Sequence, residues 1–142
     1  MNTTHDYIID ASWTGGRAGQ GETHAKHVST LVSLPAEIGG AAIGLNPEEM
    51  LGQTAGACFL ITLAIVLEKR GVPFEKLAVR STVTFDAERL KVTRIAHAPV
   101  VTFGAAATAE QRAGLADAFH RAEQFCVISN AIRNNVEVTV SQ

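Results

Sequence analysis

The sequence predicts an α+β fold of largely antiparallel sheet, and three observations carry that prediction. Short stretches near the start and long ones after residue 76 alternate apolar and polar side chains, the period of a half-buried strand. Two other segments, 46–70 and 108–126, carry helix start signals and helical spacing of apolar residues. The order reads three strands, helix, two strands, helix, strand, which keeps strands and helices in separate runs instead of alternating them as a parallel α/β protein would.

"YIIDASW" places Tyr7, Ile9, Ala11 and Trp13 on one face and reads as the first strand, with Trp13 a core aromatic. The glycine-rich turn "TGGRAGQGE" follows and carries a lone arginine, Arg17. "THAKHVSTLVSL" supplies one or two further strands, and "PAEIGGAAIGL" is a loop. The first helix opens with Asn46 as N-cap, Pro47 at the first helical position and Glu49 at the capping-box position. It closes near "EKRGVP", where basic residues, Gly71 and Pro73 give the C-terminal signals. "KLAVRSTVTF" turns Leu77, Val79, Val83 and Phe85 to one face, and "KVTRIAHAPVVTF" is its partner, bulged or at an edge because of Pro99. Thr108 and Gln111 form a second capping box, followed by an inward stripe of Leu115, Phe119, Ala122 and Cys126. "SNAIR" is a further short helix, "NN" a turn and "VEVTV" the closing strand.

Composition removes several classes of function. The 142 residues suit one domain, 1–142, with no repeat, low-complexity tract or linker. Apolar residues make up 46%, charged residues 18%, and the net charge is −2, so neither disorder nor a nucleic-acid surface is expected. The start of the sequence has acidic residues and no apolar run, so no secretory leader is expected and the protein is read as cytoplasmic. No charge interrupts the stretch between Glu49 and Glu68, but its strongly apolar part, Ala55 to Leu67, is too short for a bilayer of roughly 30 Å hydrocarbon. It reads as the central helix of a soluble core.

Only two cysteines are present, and each falls on an apolar helical face. The bland reading is packing, because free cysteine behaves as a small hydrophobe. A metal site has little support, since the five histidines are dispersed. No Cys-x-x-Cys motif is present, so a dithiol would have to be assembled by the fold. For chemistry, Cys58 sits in mid-helix, where its own helix N-terminus cannot lower its pKa and burial would raise it. A thiolate there asks for a cation that keeps its proton, and Arg17 is the candidate. A carboxylate would then hold that guanidinium, with Glu48 or Glu49 as local candidates and Glu49 better explained as the helix cap. Glu48 and Cys58 lie about 15 Å apart along an ideal helix and cannot meet within it. Either the helix breaks near Gly52, or the carboxylate comes from a second subunit; an all-round apolar helix favours the second. The hypothesis is a homodimer with interfacial sites, which a monomeric mass at micromolar concentration would sink.

"NPEEMLGQTAGACFL" followed by "EKRG", and later "EQFCVISNAIRNNVEV", resemble the two signature regions of the OsmC/Ohr family of thiol peroxidases. "TGGRAGQG" is similar to the arginine loop of its organic hydroperoxide resistance branch. Ala18 and Gln20 stand where that loop usually carries an acidic residue and a second arginine, and Val127 where a proline commonly follows the second cysteine. The resemblance implies an intertwined α+β homodimer with antiparallel sheets packed on a long central helix. It implies that Cys58 is the peroxidatic cysteine, Cys126 the resolving one, Arg17 the stabilising cation and Glu48 the carboxylate orienting it. It also implies an alkyl or lipid hydroperoxide as substrate and a dithiol reductant, either a lipoylated protein or a small cellular thiol. No metal or organic cofactor is implied. The competing reading is a redox-sensing or ligand-binding module of the same fold that does not turn over efficiently. Trp13 could wall a channel as well as pack, Arg133 reads as closing the short helix, and His97 as a hydrogen-bonded strand residue.

Overall fold

The computed structural model describes residues 3–142; Met1 and Asn2, the start of the stretch read above for a leader, lie outside them. The described chain divides into two compact units, residues up to Met50 and Leu51–Gln142.

The first unit is an antiparallel sheet of β1 (Asp10–Thr14), β2 (Gln20–Ala25) and β3 (Val28–Val32), in that order. Gly21 pairs with Trp13, and a Cβ on it would lie 2.3 Å from the Ser12 carbonyl oxygen and 2.7 Å from the indole, so only glycine fits there. A 3-10 turn over Ala36–Ile38 follows, and the chain then returns to β3. Ser33 pins that return: its hydroxyl donates to the Ile43 carbonyl at 2.6 Å and accepts from the Ile43 N–H at 2.7 Å. Two expectations fail in this unit. The first strand begins at Asp10, leaving Tyr7 to Ile9 outside it. No residue of β1 is buried, and Trp13 is 46% exposed, its indole N–H held by the carbonyls of Gly15 and Gly16. Alternation correctly marked a strand, but within the first unit its apolar face is left exposed.

Helix α1 (Pro47–Lys69) is unbroken through Gly52, so the kink allowed for above does not occur. Its start is the expected reciprocal cap: Glu49 N–H donates to Asn46 Oδ1 at 2.8 Å and Asn46 N–H to Glu49 Oε2 at 3.1 Å. Its end is a left-handed glycine stop. Gly71 has φ 65°, its N–H bonds to the Glu68 carbonyl, and the Val72 N–H reaches back to Leu67. At 23 residues α1 is long and apolar enough to cross a membrane by those two measures, contrary to the estimate from its most apolar part. Packing gives a different reason for its composition. Phe59, Leu63 and Leu67 bury one face against Ala118, Phe119 and Ala122, each large side chain contributing roughly 1.5–3 kcal/mol. Ala57, Ile61 and Ile65 line the opposite, exposed face.

The second sheet has the order β4 (Phe74–Asp86), β5 (Lys91–Phe103), β6 (Glu137–Val140). β4 and β5 are antiparallel; β6 runs parallel to β5, as a strand reached through crossover helices can. Pro99 is therefore in the middle strand, but β6 pairs only with Arg94 to His97, so Pro99 lies beyond it. The register shifts fall elsewhere, at Phe74/Lys76 and at Thr84/Phe85, with Thr93 the extra residue at the second; Phe85 lies past that bulge and is 43% exposed instead of facing the core. The predicted helix from Thr108 to Cys126 divides into α2 (Ala109–Ala113) and α3 (Leu115–Phe125), and the short helix expected at "SNAIR" is α4 (Val127–Ile132), beginning two residues earlier. The capping box is present, the break at Gly114 is unexpected, and the helix ends at Cys126 as predicted.

Candidate active site

The two cysteines meet for reasons visible in their neighbours. On α1, Phe59 is fully buried, which leaves Cys58 at the margin of the buried face, half-exposed. On α3 the buried stripe Ala118, Phe119, Ala122 continues into Cys126, which is 0% exposed. Cys126 also ends α3 and caps α4, with extended backbone (φ −69°, ψ 116°). That break aims the first N–H groups of α4 at α1. The Ile128 N–H, the Cys126 thiol and the Val127 N–H lie close enough to the Cys58 sulfur to lower its pKa, and both cysteines are free thiols.

These contacts decide the electrostatics. Burial pushes the Cys58 thiol up, but the Ile128 N–H, the Cys126 thiol, the Val127 N–H and the Thr62 hydroxyl together hold it below its ordinary value. Thr62 has one hydroxyl hydrogen, which the Cys58 carbonyl takes at 2.8 Å, so the other three donors carry the effect. Cys126 moves the other way. Burial pushes it up, and the Ser129 N–H, with the Ser129 hydroxyl near but outside hydrogen-bond geometry, only partly offsets this. The sequence reading asked for a cation beside Cys58; it missed these backbone donors, because they come from a helix other than the one that carries the thiol.

Cys58 opens on a groove of about 870 Å³. Ile61, Ile65, Phe125, Val127 and Ile128 give it apolar walls, and Lys69, Arg70 and Arg121 stand on its rim. Arg70 is bound to Asp117 at 2.6 Å, and the Arg121 guanidinium lies 5.3 Å from the centre of the Phe125 ring. Cys126 does not line the groove.

Arg17, Glu48 and Glu49 lie in the first unit. Arg17 donates from Nη1 to the Ile38 carbonyl at 3.0 Å, and its stem packs over Gly39, whose φ is 82°. Glu48 is half-buried in the first turn of α1 and Glu49 is the cap. Among the described residues no ion pair joins Arg17 to either carboxylate. Arg133 closes α4, paired with Glu123 at 2.9 Å and donating to Asn130 Oδ1 at 2.9 Å. His97 is buried against Phe59, with Nδ1 bonded to Ser81 Oγ at 2.8 Å and Nε2 without a partner. No three His, Cys, Asp or Glu side chains among the described residues cluster as metal ligands.

Comparison with known proteins gives a consistent set of matches. The OsmC-like protein family matches residues 39–141. Uncharacterized protein YmaD of Bacillus subtilis is 33% identical over 136 residues, covering 94% of this chain and 91% of that protein. An organic hydroperoxide resistance protein of Xanthomonas axonopodis pv. citri is 30% identical over 141 residues, covering 95% and 93%. Among solved structures, an organic hydroperoxide resistance protein OsmC from Legionella pneumophila superposes with a TM-score of 0.74 at 26% identity, covering 98% of this chain and 100% of that one.

Proposed function

The chain belongs to the OsmC-like family, and from that premise we propose that it is a cysteine-based, dithiol-dependent peroxidase for organic hydroperoxides. One observation supports this reading above the rest: a thiol held below its ordinary pKa on an apolar groove, with a second thiol beside it. Packing alone does not call for three converging donors on one sulfur.

The chemistry follows from those groups. The Cys58 thiolate attacks the distal peroxide oxygen, the O–O bond breaks, and the alkoxide leaves as an alcohol after taking a proton. The resulting Cys58 sulfenic acid condenses with Cys126, releasing water and forming a disulfide. A dithiol, from a lipoylated protein or a small cellular thiol, returns the pair to thiols. Arg17 stabilises the thiolate and the departing alkoxide, and Glu48 orients Arg17. An alkyl or lipid chain lies along the apolar groove. The working unit is a cytoplasmic homodimer of one domain spanning 1–142, needing no metal or organic cofactor. The exposed apolar side chains of Trp13, Ile61 and Ile65 support a second copy as cover.

Stopped-flow mixing of reduced protein with cumene hydroperoxide, and separately with hydrogen peroxide, tests the reading. Rapid loss of both thiols per chain, faster with the organic peroxide, is expected. A rate no greater than that of free cysteine would return Cys58 to packing. Continued turnover with a dithiol separates the enzyme from a sensor of the same fold.

A further inference from the structure

Resting on the reading that Cys58 and Cys126 form a disulfide, we propose that the reducing thiol attacks the Cys58 sulfur and that Ser129 receives the departing Cys126 thiolate. Three features of the reduced site carry this. Cys58 lines the groove, whereas Cys126 is 0% exposed and lies outside the lining. The Ser129 N–H donates to Cys126 Sγ at 3.5 Å. Ser129 is 1% exposed, and its hydroxyl oxygen has no hydrogen-bond partner.

Two effects oppose each other in choosing the sulfur that is attacked. A thiolate of lower pKa leaves faster, which on its own favours attack on Cys126 and departure of Cys58. Thiol exchange, however, needs the incoming sulfur in line with the bond that breaks. An enclosed Cys126 leaves no room for a third sulfur behind it, while the groove approaches Cys58 from outside. Access wins, because a sulfur that cannot be reached is not attacked whatever its partner's leaving ability.

Departure of Cys126 then places a negative charge in an enclosed site, where an unpaired charge is expensive. Ser129 supplies two donors at that point. A buried hydroxyl left unpartnered costs about 1–3 kcal/mol, and here it is held where a charge develops in a single step. The step balances as follows. The external thiolate bonds to Cys58 Sγ, the disulfide bond breaks, and its electron pair stays on Cys126. The second thiol of the dithiol attacks the external sulfur, releasing the Cys58 thiolate. The dithiol loses two electrons and becomes a disulfide; its protons pass to Cys126 and to solvent.

The test starts from wild-type protein oxidised with diamide, so the disulfide forms without hydroperoxide and peroxidase activity is not needed. The oxidised protein is mixed with 2-mercaptoethanol, quenched with acid, and the adduct located by peptide mass spectrometry. An adduct on Cys58 with a free thiol at Cys126 is expected. An adduct on Cys126, or no disulfide after diamide, would overturn the inference. Ser129→Ala should slow dithiothreitol reduction of this disulfide by about tenfold, with Ser129→Thr restoring it. In a Cys58→Ser background, the same change should raise the pH at which Cys126 thiolate absorbance appears. Reduction within about twofold of wild type, or an unmoved titration, would overturn the role of Ser129. Should the alanine variant not fold, Ser129→Gly carries the same comparison with the same two outcomes.

Discussion

The nearness of the Cys126 thiol to the Cys58 sulfur acts in opposite senses on the two. Behind the upward push of burial on each sulfur, it lowers the Cys58 pKa and raises that of Cys126. Together with the N–H groups of Ile128 and Val127, this contact separates two identical side chains into a better nucleophile and a proton-retaining neighbour. It also puts the neighbour within reach of whatever forms on Cys58.

This division of labour distinguishes two substitutions at Cys126. Cys126→Ser keeps a hydroxyl donor, so its first reaction with cumene hydroperoxide should stay within about threefold of wild type. Cys126→Ala removes the donor, and the same step at neutral pH should slow by about tenfold. Both variants should then accumulate sulfenic and sulfinic acid at Cys58, seen as added oxygen by mass spectrometry. Normal turnover of Cys126→Ser with a dithiol would remove Cys126 from the mechanism.

Val127→Pro tests the backbone donors. Val127 is the first residue of α4, where proline is tolerated, and Cys126 before it already has the extended ψ of 116° that proline demands. The variant should fold with a Tm no lower than wild type. It loses one N–H aimed at Cys58, so the thiolate absorbance should appear at higher pH. Hydroperoxide reduction at neutral pH should fall by about threefold to tenfold. An unchanged titration with normal folding would show that the Ile128 N–H and the Cys126 thiol suffice.

Legibility in the sequence followed the range of the interaction. Asn46 with Glu49, Thr108 with Gln111, and Gly71 announced helix ends because each is local side-chain or backbone chemistry. Whereas Cys58 sits at the margin of its face, Cys126 could be placed on an inward helical face for the same reason. The Val127 and Ile128 donors could not, since a backbone N–H has no residue-type signature and its target lies on a distant segment. Gly114 was passed over because a single glycine within a helical pattern is ambiguous. Phe85 was misplaced by the bulge at Thr93, which alternation alone cannot register. Trp13 was misjudged because a strand pattern tells which face is apolar, not whether this chain covers it.

Gly56→Ala tests how closely α1 approaches β4. A Cβ at Gly56 would lie 2.8 Å from Ser81 Oγ, the atom that bonds His97 Nδ1. Alanine gains about 1 kcal/mol of helix propensity but must displace that hydroxyl. Both ring nitrogens of a buried histidine would then lack partners, at a cost of about 1–3 kcal/mol. A net loss of about 1–2 kcal/mol in urea unfolding is expected, against the usual gain from alanine in a helix. A stabilised variant would mean that Ser81 shifts without losing His97.

His97 should make stability depend on pH. Burial lowers its pKa from the ordinary 6.5, and the charge of Glu123 opposes this without overcoming it. Below pH 6.5 the unfolded chain takes up a proton that the folded chain still refuses. The unfolded state therefore binds more protons in that window, and stability rises with pH through it. The contribution is complete above the unfolded value and is lost as pH falls toward the folded one. Thermal unfolding should accordingly drop between about pH 7.5 and about pH 5 in the wild type. His97→Gln should lose about 1–3 kcal/mol at the upper end, through its stacking on Phe59 and its bond to Ser81, and show a flatter profile below it. An equal slope in both proteins would assign the acid sensitivity to another group.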